Sequence, residues 1–280
     1  MDARLQLRVQ RYGWDKAAHV YEEYWAHALE PAQRRVMELA DIKPGERVLD
    51  IASGTGIIAF RAASLVKASG SVFATDLSDE MVKVLRETAL ARGLANVRAE
   101  RMDAQELALP DGTYDVAICA LGLMYVPDPL AALREMRRVL KPGGRAVAAV
   151  WGQRDHCGWA EIFPIVERRV ASEVCPMFFQ LGGAGALQYT MEMAGFENVQ
   201  DERIDAPISY ADADDACGAA FAGGPVALAY SHFDDATRES AHREYLDSIA
   251  AFKVGEGYRV PGEFVVATGR IPLTPVAVSV

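Results

Sequence analysis

Residues 47–56 read R-V-L-D-I-A-S-G-T-G, and few backbone arrangements suit such a stretch. Val48, Leu49 and Ile51 form a short apolar run, as expected of a parallel strand covered on both faces. The run breaks into Ala52-Ser53-Gly54-Thr55-Gly56, whose small residues let a ligand approach the backbone closely. A helical pattern begins at once with Ile57, Ile58, Phe60, Ala62 and Ala63, so unpaired N–H groups at its start face the same crevice. Strand, glycine loop and helix in that order open a nucleotide-binding α/β domain.

The pattern continues downstream. Residues 71–76 (S-V-F-A-T-D) read as a second strand, 78–91 as a helix capped by Ser78 or Asp79, and 96–102 as a third strand. Residues 114–121 are apolar nearly throughout and form a fourth strand. A helix over 129–140 stops at Lys141-Pro142-Gly143-Gly144, and 145–151 form strand five. Strands six (199–208) and seven (264–267) flank a long, mostly helical insertion at 211–258, in which the small residues of 216–227 suggest a mobile connection. Upstream, apolar groups at 14–29 have helical spacing, and a second helix runs over 31–40. The first is either an amphipathic helix docked on the core or an aromatic lid, because Tyr12, Trp14, Tyr21, Tyr24 and Trp25 cluster just before the glycine loop.

The expected fold is therefore α/β, with a doubly wound, mostly parallel seven-stranded sheet, an N-terminal helical lid and a helical insertion before the last strand. Three parts follow: a lid at 1–40, the nucleotide-binding core at 41–151, and a substrate-binding helical region with the final strands at 152–280.

With 39 Asp and Glu against 29 Lys and Arg, the formal charge is −10, which leaves little to drive binding to a phosphate backbone. Neither a signal-peptide run nor eighteen consecutive apolar residues occurs, so a cytoplasmic protein without integral membrane association is expected. Cys119, Cys157, Cys175 and Cys217 are widely spaced and read as reduced thiols.

Gly54 to Ala59 fits G-x-G-x-x-A, with Asp76 twenty-two residues after Gly54, which taken alone leaves the ligand open between a dinucleotide and other nucleosides. Asp50, directly under the loop, would repel a pyrophosphate and stabilise an ammonium group. Asp103-Ala104 adds polar groups where an adenine edge would lie. A cationic aminoacyl nucleoside suits this set better than NAD.

These residues carry a resemblance. From Val48 to Trp151 the chain resembles the class I S-adenosylmethionine-dependent methyltransferases: V-L-D-I-A-S-G-T-G is similar to their first motif and A-T-D-L-S-D-E-M-V to their acidic loop after strand two. M-D-A-Q-E-L-A-L-P-D-G-T-Y-D-V resembles their segment between strands three and four, and L-K-P-G-G-R their turn before strand five. Ala52 stands where many members have glycine; alanine there, with A-L-G-L-M-Y-V-P-D, is similar to the ubiquinone and menaquinone C-methyltransferase branch.

The resemblance implies S-adenosylmethionine as cofactor and S-adenosylhomocysteine as product, with no metal. It implies that Gly54 and Gly56 close on the methionine part beside Ala52 and Ser53, with Asp50 supporting the ammonium, and that Asp76 accepts both ribose hydroxyls. Leu77 or Met81 would pack on the adenine, Met102, Asp103 and Ala104 would address its edge, and Cys119, Ala120 and Leu121 would lie beside the transferred methyl. Tyr12, Trp25, Leu121, Tyr125 and Trp151 are expected to contact the acceptor. If the acceptor must lose a proton, His156, His232 and Tyr21 (or Tyr12) are the candidate bases. The charge and the absence of [DN]-P-P-[YFW] after strand four favour a small-molecule acceptor over nucleic acid. The apolar content of Trp159, Phe163, Phe178, Phe179, Phe221, Tyr230 and Phe233 suggests a flat or greasy one from secondary metabolism. Three rivals remain at this level: an NAD-dependent oxidoreductase, an arsenite methyltransferase using Cys157, Cys175 and Cys217, and a non-catalytic nucleoside-binding module. Whether the chain forms a homodimer is left open.

Overall fold

The computed structural model describes residues 3–170 and 177–273; Cys175 lies outside them. Strands β1 (Arg47–Ile51), β2 (Ser71–Asp76), β3 (Val97–Arg101), β4 (Tyr114–Ala120), β5 (Leu140–Trp151) and β6 (Glu197–Asp205) join one sheet. Strands β7 (Ile208–Tyr210), β8 (Lys253–Val254) and β9 (Gly257–Val260) form a second, and β10 (Glu263–Arg270) returns to the first. The large sheet has the order β3-β2-β1-β4-β5-β10-β6. Its β1 to β5 pairs are parallel, and β10 runs antiparallel between β5 and β6. The small sheet, β7-β9-β8, is antiparallel.

Ten α-helices accompany the strands among the described residues. The N-terminal pair are α1 (Ala3–Ala17) and α2 (Tyr21–Ala40); α3 (Ile57–Val66), α4 (Asp79–Ala91), α5 (Pro129–Val139), α6 (Ile162–Glu167) and α7 (Ala186–Met193) follow. Between β7 and β8 lie α8 (Ala213–Cys217), α9 (Ala227–Tyr230) and α10 (Asp235–Ser248). None of the described helices is long and apolar enough to cross a membrane. From β1 the chain moves one way along the sheet through α3, and from β4 the other way through α5. Right-handed crossovers then place these helices on opposite faces and open a crevice between β1 and β4.

Several boundaries differ from the sequence reading, each for a local reason. The pattern at 14–29 is cut by a turn between α1 and α2, and the apolar spacing hides it because Ala17 and Ala18 are buried at the corner itself. Pro31 does not start a helix but lies inside α2. The lost hydrogen bond is tolerated because Leu29, Ala32, Gln33 and Val36 are buried on either side of it. Strand six ends at Asp205, and Ile208 belongs to the second sheet instead. Lys141-Pro142-Gly143-Gly144 is absorbed into β5, where the register with β4 shifts between Tyr114 and Val116. The insertion contains the β8–β9 pair as well as helices. Its small-residue stretch is not an open linker: α8 runs into a π-helical turn at Gly218–Ala222, with Ala216, Ala219 and Phe221 fully buried.

At the crevice two loops touch. Ala52, after β1, and Leu121, after β4, both adopt left-handed backbone (φ 53° and 68°). A Cβ on the neighbouring Gly122 would stand 2.4 Å from the Ala52 methyl and 2.9 Å from Cys119 Sγ. The Ala52 methyl thus fills space that only a glycine across the crevice leaves free. Gly122→Ala is expected to destabilise the fold by about 1–3 kcal/mol, read as a lower urea midpoint at unchanged slope. Adding Ala52→Gly removes the nearer contact, so the double variant should recover part of the loss; a double variant no more stable than the single would refute the coupling.

Candidate functional site

The first strand ends in a turn that must satisfy the start of α3 without a capping side chain. Its N-cap is Gly56, at φ 100° and with no side-chain cap. Asp50, one residue inside β1, accepts the Ala59 N–H of the first helical turn instead. A Cβ on Gly56 would stand 2.7 Å from Leu85 and 2.9 Å from Phe60, so packing against α4 requires this glycine. Gly54, at φ 55°, has Tyr21 and Met81 near where its Cβ would point. Its N–H donates to Asp76 Oδ2 at 2.8 Å, while the Ser78 N–H donates to Oδ1 at 2.9 Å. One carboxylate therefore joins the loops after β1 and β2. Burial pushes the Asp76 carboxyl up to about 6, against the pull of these N–H groups. Burial, and then the Asp76 charge, raise Asp50 well above the usual carboxylate range.

Around these loops lies a cavity that opens to solvent. At the strand ends it is lined by Asp50, Ala52, Ser53, Gly54, Asp76, Leu77, Met81, Met102, Asp103, Ala104 and Ala120, all of them expected near a cofactor. Gly56 and Cys119 are the two expected there that do not line it; Gly56 serves helix packing and Cys119 lies in the core. Asp103 reaches the wall, but its carboxylate is clasped by Gln105, whose Nε2 donates to both oxygens at 3.0 and 3.1 Å. Ser78 caps α4 by accepting the Met81 N–H, and its own hydroxyl donates to Asp15 of α1 at 2.6 Å.

The opposite wall is aromatic. Edge contacts run from Tyr21 to Trp14 (5.8 Å), Trp14 to Tyr125 (5.1 Å), Tyr125 to Phe178 (5.4 Å) and Phe178 to Trp159 (5.6 Å). Trp159 meets Trp151 at 4.8 Å, and both meet Trp25, one helical turn from Tyr21, so the collar closes on itself. Of the residues expected at the acceptor, Trp25, Leu121, Tyr125 and Trp151 line the cavity, and so does Tyr21.

The rest of that set is elsewhere. Tyr12 is 46% exposed and does not line the cavity. His156 also lies off the cavity lining; its Nδ1 stands 2.8 Å from Glu263 Oε2, an ion pair that raises its pKa. His232 sits against the Leu228 carbonyl, again outside the lining. Phe163, Phe179, Phe221, Tyr230 and Phe233 are not lining residues either; Phe221 and Tyr230 pack with His242 in a separate cluster. Cys157 and Cys217 are buried away from the cavity, and burial pushes both thiols up to about 12, which disfavours the thiolate a metalloid would need. Among the described residues no group of three or more His, Cys, Asp or Glu could hold a metal ion.

The sequence reading missed Leu7, Gln10, Leu29, Gln33 and Thr55, and from the insertion only Gly224 and Pro225 reach the wall. Gln33 carried a signal: it interrupts the apolar stripe of Trp25, Leu29 and Val36 on α2 and is 5% exposed. Several buried polar atoms of the lining have no hydrogen-bond partner, namely Asp50 Oδ2, Gln33 Oε1, Ser53 Oγ, Thr55 Oγ1 and the indole nitrogens of Trp25 and Trp159. Each such group costs on the order of 1–3 kcal/mol when left unpaired. Asp50 lies under the glycine loop and Ser53 and Thr55 within it, whereas Gln33 adds an amide from α2.

Residues 48–144 match the family described as methyltransferase domain. The ubiquinone/menaquinone biosynthesis C-methyltransferase UbiE of Ectopseudomonas mendocina (strain ymp) is 46% identical over 114 residues, covering 40% of this chain and 44% of that protein. The protein of the same name from Azotobacter vinelandii is 47% identical over 114 residues, covering 40% and 45%. The match thus spans less than half the length of these relatives. Among solved structures, the YcgJ protein of Bacillus subtilis is 19% identical with a TM-score of 0.60, over 88% of this chain and 99% of that one. Haemonchus contortus phosphoethanolamine N-methyltransferase 2, in complex with phosphomonomethylethanolamine and S-adenosylhomocysteine, is 18% identical with a TM-score of 0.62, over 97% and 60%. At these identities the likeness is one of fold. The strand, glycine loop and acidic loop that frame the cavity all fall within the residues that are similar to the methyltransferase domain.

Proposed function

We propose that this chain transfers the methyl group of S-adenosylmethionine to a small aromatic or apolar metabolite. The observation that carries the reading is the division of one cavity into a polar end at the glycine loop and an aromatic collar. Asp50 Oδ2 and Gln33 Oε1 would accept from the ammonium, Ser53 and Thr55 hydroxyls would meet the carboxylate, and Asp76 would accept the ribose hydroxyls. Leu77 and Met81 would cover the adenine. When bound, the donor supplies a sulfonium methyl already activated for displacement. The protein's part is to align the acceptor in line with it and exclude water, which the collar does by enclosing that end in rings. The chemistry needs no metal or nucleophile. The buried carboxyl of Asp50 gains from a cation beside it, which favours this donor over a dinucleotide. A quinone-type ring, in keeping with the name of the similar Ectopseudomonas mendocina protein, belongs among the first acceptors to screen.

Calorimetric titration tests the cofactor half. S-adenosylhomocysteine should bind with micromolar affinity, Asp76→Ala should weaken it about tenfold or more (roughly 1.4 kcal/mol), and NADH should not bind; binding of NADH alone would overturn the reading. The pH dependence is a second test. Asp76 accepts hydrogen bonds best as the carboxylate, and its carboxyl titrates near 6, so affinity should be constant above pH 7 and fall as pH drops through 6. At pH 5 it should be about tenfold weaker, and Asp76→Asn should flatten the profile. An unchanged profile in the variant would remove Asp76 from the ribose contact.

A further inference from the structure

Resting on the methyltransferase reading, we propose that Gln105 is the positioning residue of the nucleobase end. It fixes the Asp103 carboxylate so that one open lone pair, on Oδ2, is left to accept the exocyclic amine of an adenine. Asp103 lines the cavity just past the end of β3, whereas Gln105 does not, so Gln105 can act on a ligand only through this neighbour. The Gln105 backbone N–H donates to Asp103 Oδ1 at 2.9 Å, and its side-chain Nε2 donates to Oδ1 at 3.0 Å and to Oδ2 at 3.1 Å. A carboxylate offers two lone pairs on each oxygen. Both on Oδ1 and one on Oδ2 are thus engaged, which leaves room for a single donor.

The amide is held from its other side as well. Its Oε1 accepts the Asp128 N–H at 3.0 Å, and Asp128 caps α5 by accepting the Ala131 N–H at 2.9 Å. Turned over, the amide would set its carbonyl oxygen against the carboxylate and its NH2 against the Asp128 N–H, so only one orientation pairs every group. Gln105 therefore spans the loops after β3 and β4. That the clasp is an amide matters chemically. Lys, Arg and His are absent from the described lining. A neutral donor orients Asp103 without cancelling its charge, and the remaining lone pair makes a charge-assisted bond. A carboxylate free to rotate would have to be ordered as the ligand binds; here that ordering is built into the fold.

Calorimetric titration with S-adenosylhomocysteine and its deamino analogue, whose purine lacks only the exocyclic amine, tests this. The wild type should bind the first about tenfold more tightly than the second (about 1.4 kcal/mol). Gln105→Leu should weaken S-adenosylhomocysteine about fivefold (about 1 kcal/mol) and leave the deamino analogue nearly unchanged, so that the preference shrinks to about twofold. Asp103→Ala should abolish the preference. Adding Gln105→Leu to Asp103→Ala should then cost nothing further, because the amide has no carboxylate left to hold. A wild type without preference for the amine, a preference undiminished in Gln105→Leu, or the same loss from Gln105→Leu on both backgrounds overturns the proposal. Equal weakening of both ligands by Gln105→Leu also overturns it, by reducing the residue to a support of the fold. A wild type that binds neither nucleoside would overturn the methyltransferase reading itself, and this inference with it.

Discussion

The site depends on one buried carboxylate held between two loops. Asp76 ends β2, yet its oxygens receive the Gly54 N–H from the loop after β1 and the Ser78 N–H at the start of α4. Neither bond is available to an amide or alanine in the same form, and the geometry of the crevice follows from both. The arrangement is costly. With a carboxyl raised from 3.8 to about 6, the ionised group costs the fold on the order of 3 kcal/mol at neutral pH. The sign follows from a folded pKa above the unfolded one: the penalty is present above pH 6 and is relieved as pH falls toward 4. A fold optimised for stability alone would not keep this group. Retaining it makes sense if hydrogen-bond donors of a ligand complete its shell.

The topology separates what holds from what selects. Parallel strands must end at the same side of the sheet, so the ends of β1, β2 and β3 bring Asp50, Asp76 and Asp103 together from three stretches of sequence. The collar is assembled from elements the sheet does not order: Trp14 on α1, Tyr21 and Trp25 on α2, Tyr125 after β4, Trp159 and Phe178 beyond β5. The helical end is tied down where Asp15 of α1 accepts the Ser78 hydroxyl and the Glu80 N–H, and Arg11 pairs with Asp79. The N-terminal helix therefore rests on the same turn that positions Asp76, and the two halves of the cavity share a hinge point in Ser78.

The polar half was legible in the sequence because its residues lie within a few positions of strand ends, and an apolar run that stops at a small-residue loop marks such an end. Ser78 was one of two cap candidates, with Asp79, and the first five strands along the chain followed from the same periodicity. The collar was legible only in part. Trp25, Tyr125 and Trp151 stood next to recognisable elements, whereas Trp159 and Phe178 lay in a region without period. Phe163, Phe179 and Phe221 looked no different from them, and only packing sends these away from the cavity. Gly56 was assigned to the ligand because a glycine in a loop has two explanations; Leu85 and Phe60 supply the second. His156 drew attention as a lone histidine, but its partner, Glu263, lies 107 residues away on β10, a pairing that no local pattern reveals.

The absence of those histidines from the described lining bears on the chemistry. The titratable residues left there are three carboxyls and two phenols, Tyr21 and Tyr125. Asp50 and Asp76 serve the polar end, and Asp103 is held by Gln105. Burial, together with the Asp76 charge, raises the Tyr21 pKa, so its phenol donates hydrogen bonds at neutral pH and does not remove protons. If the collar receives the acceptor of the proposed transfer, that acceptor must arrive with its nucleophilic atom already electron-rich.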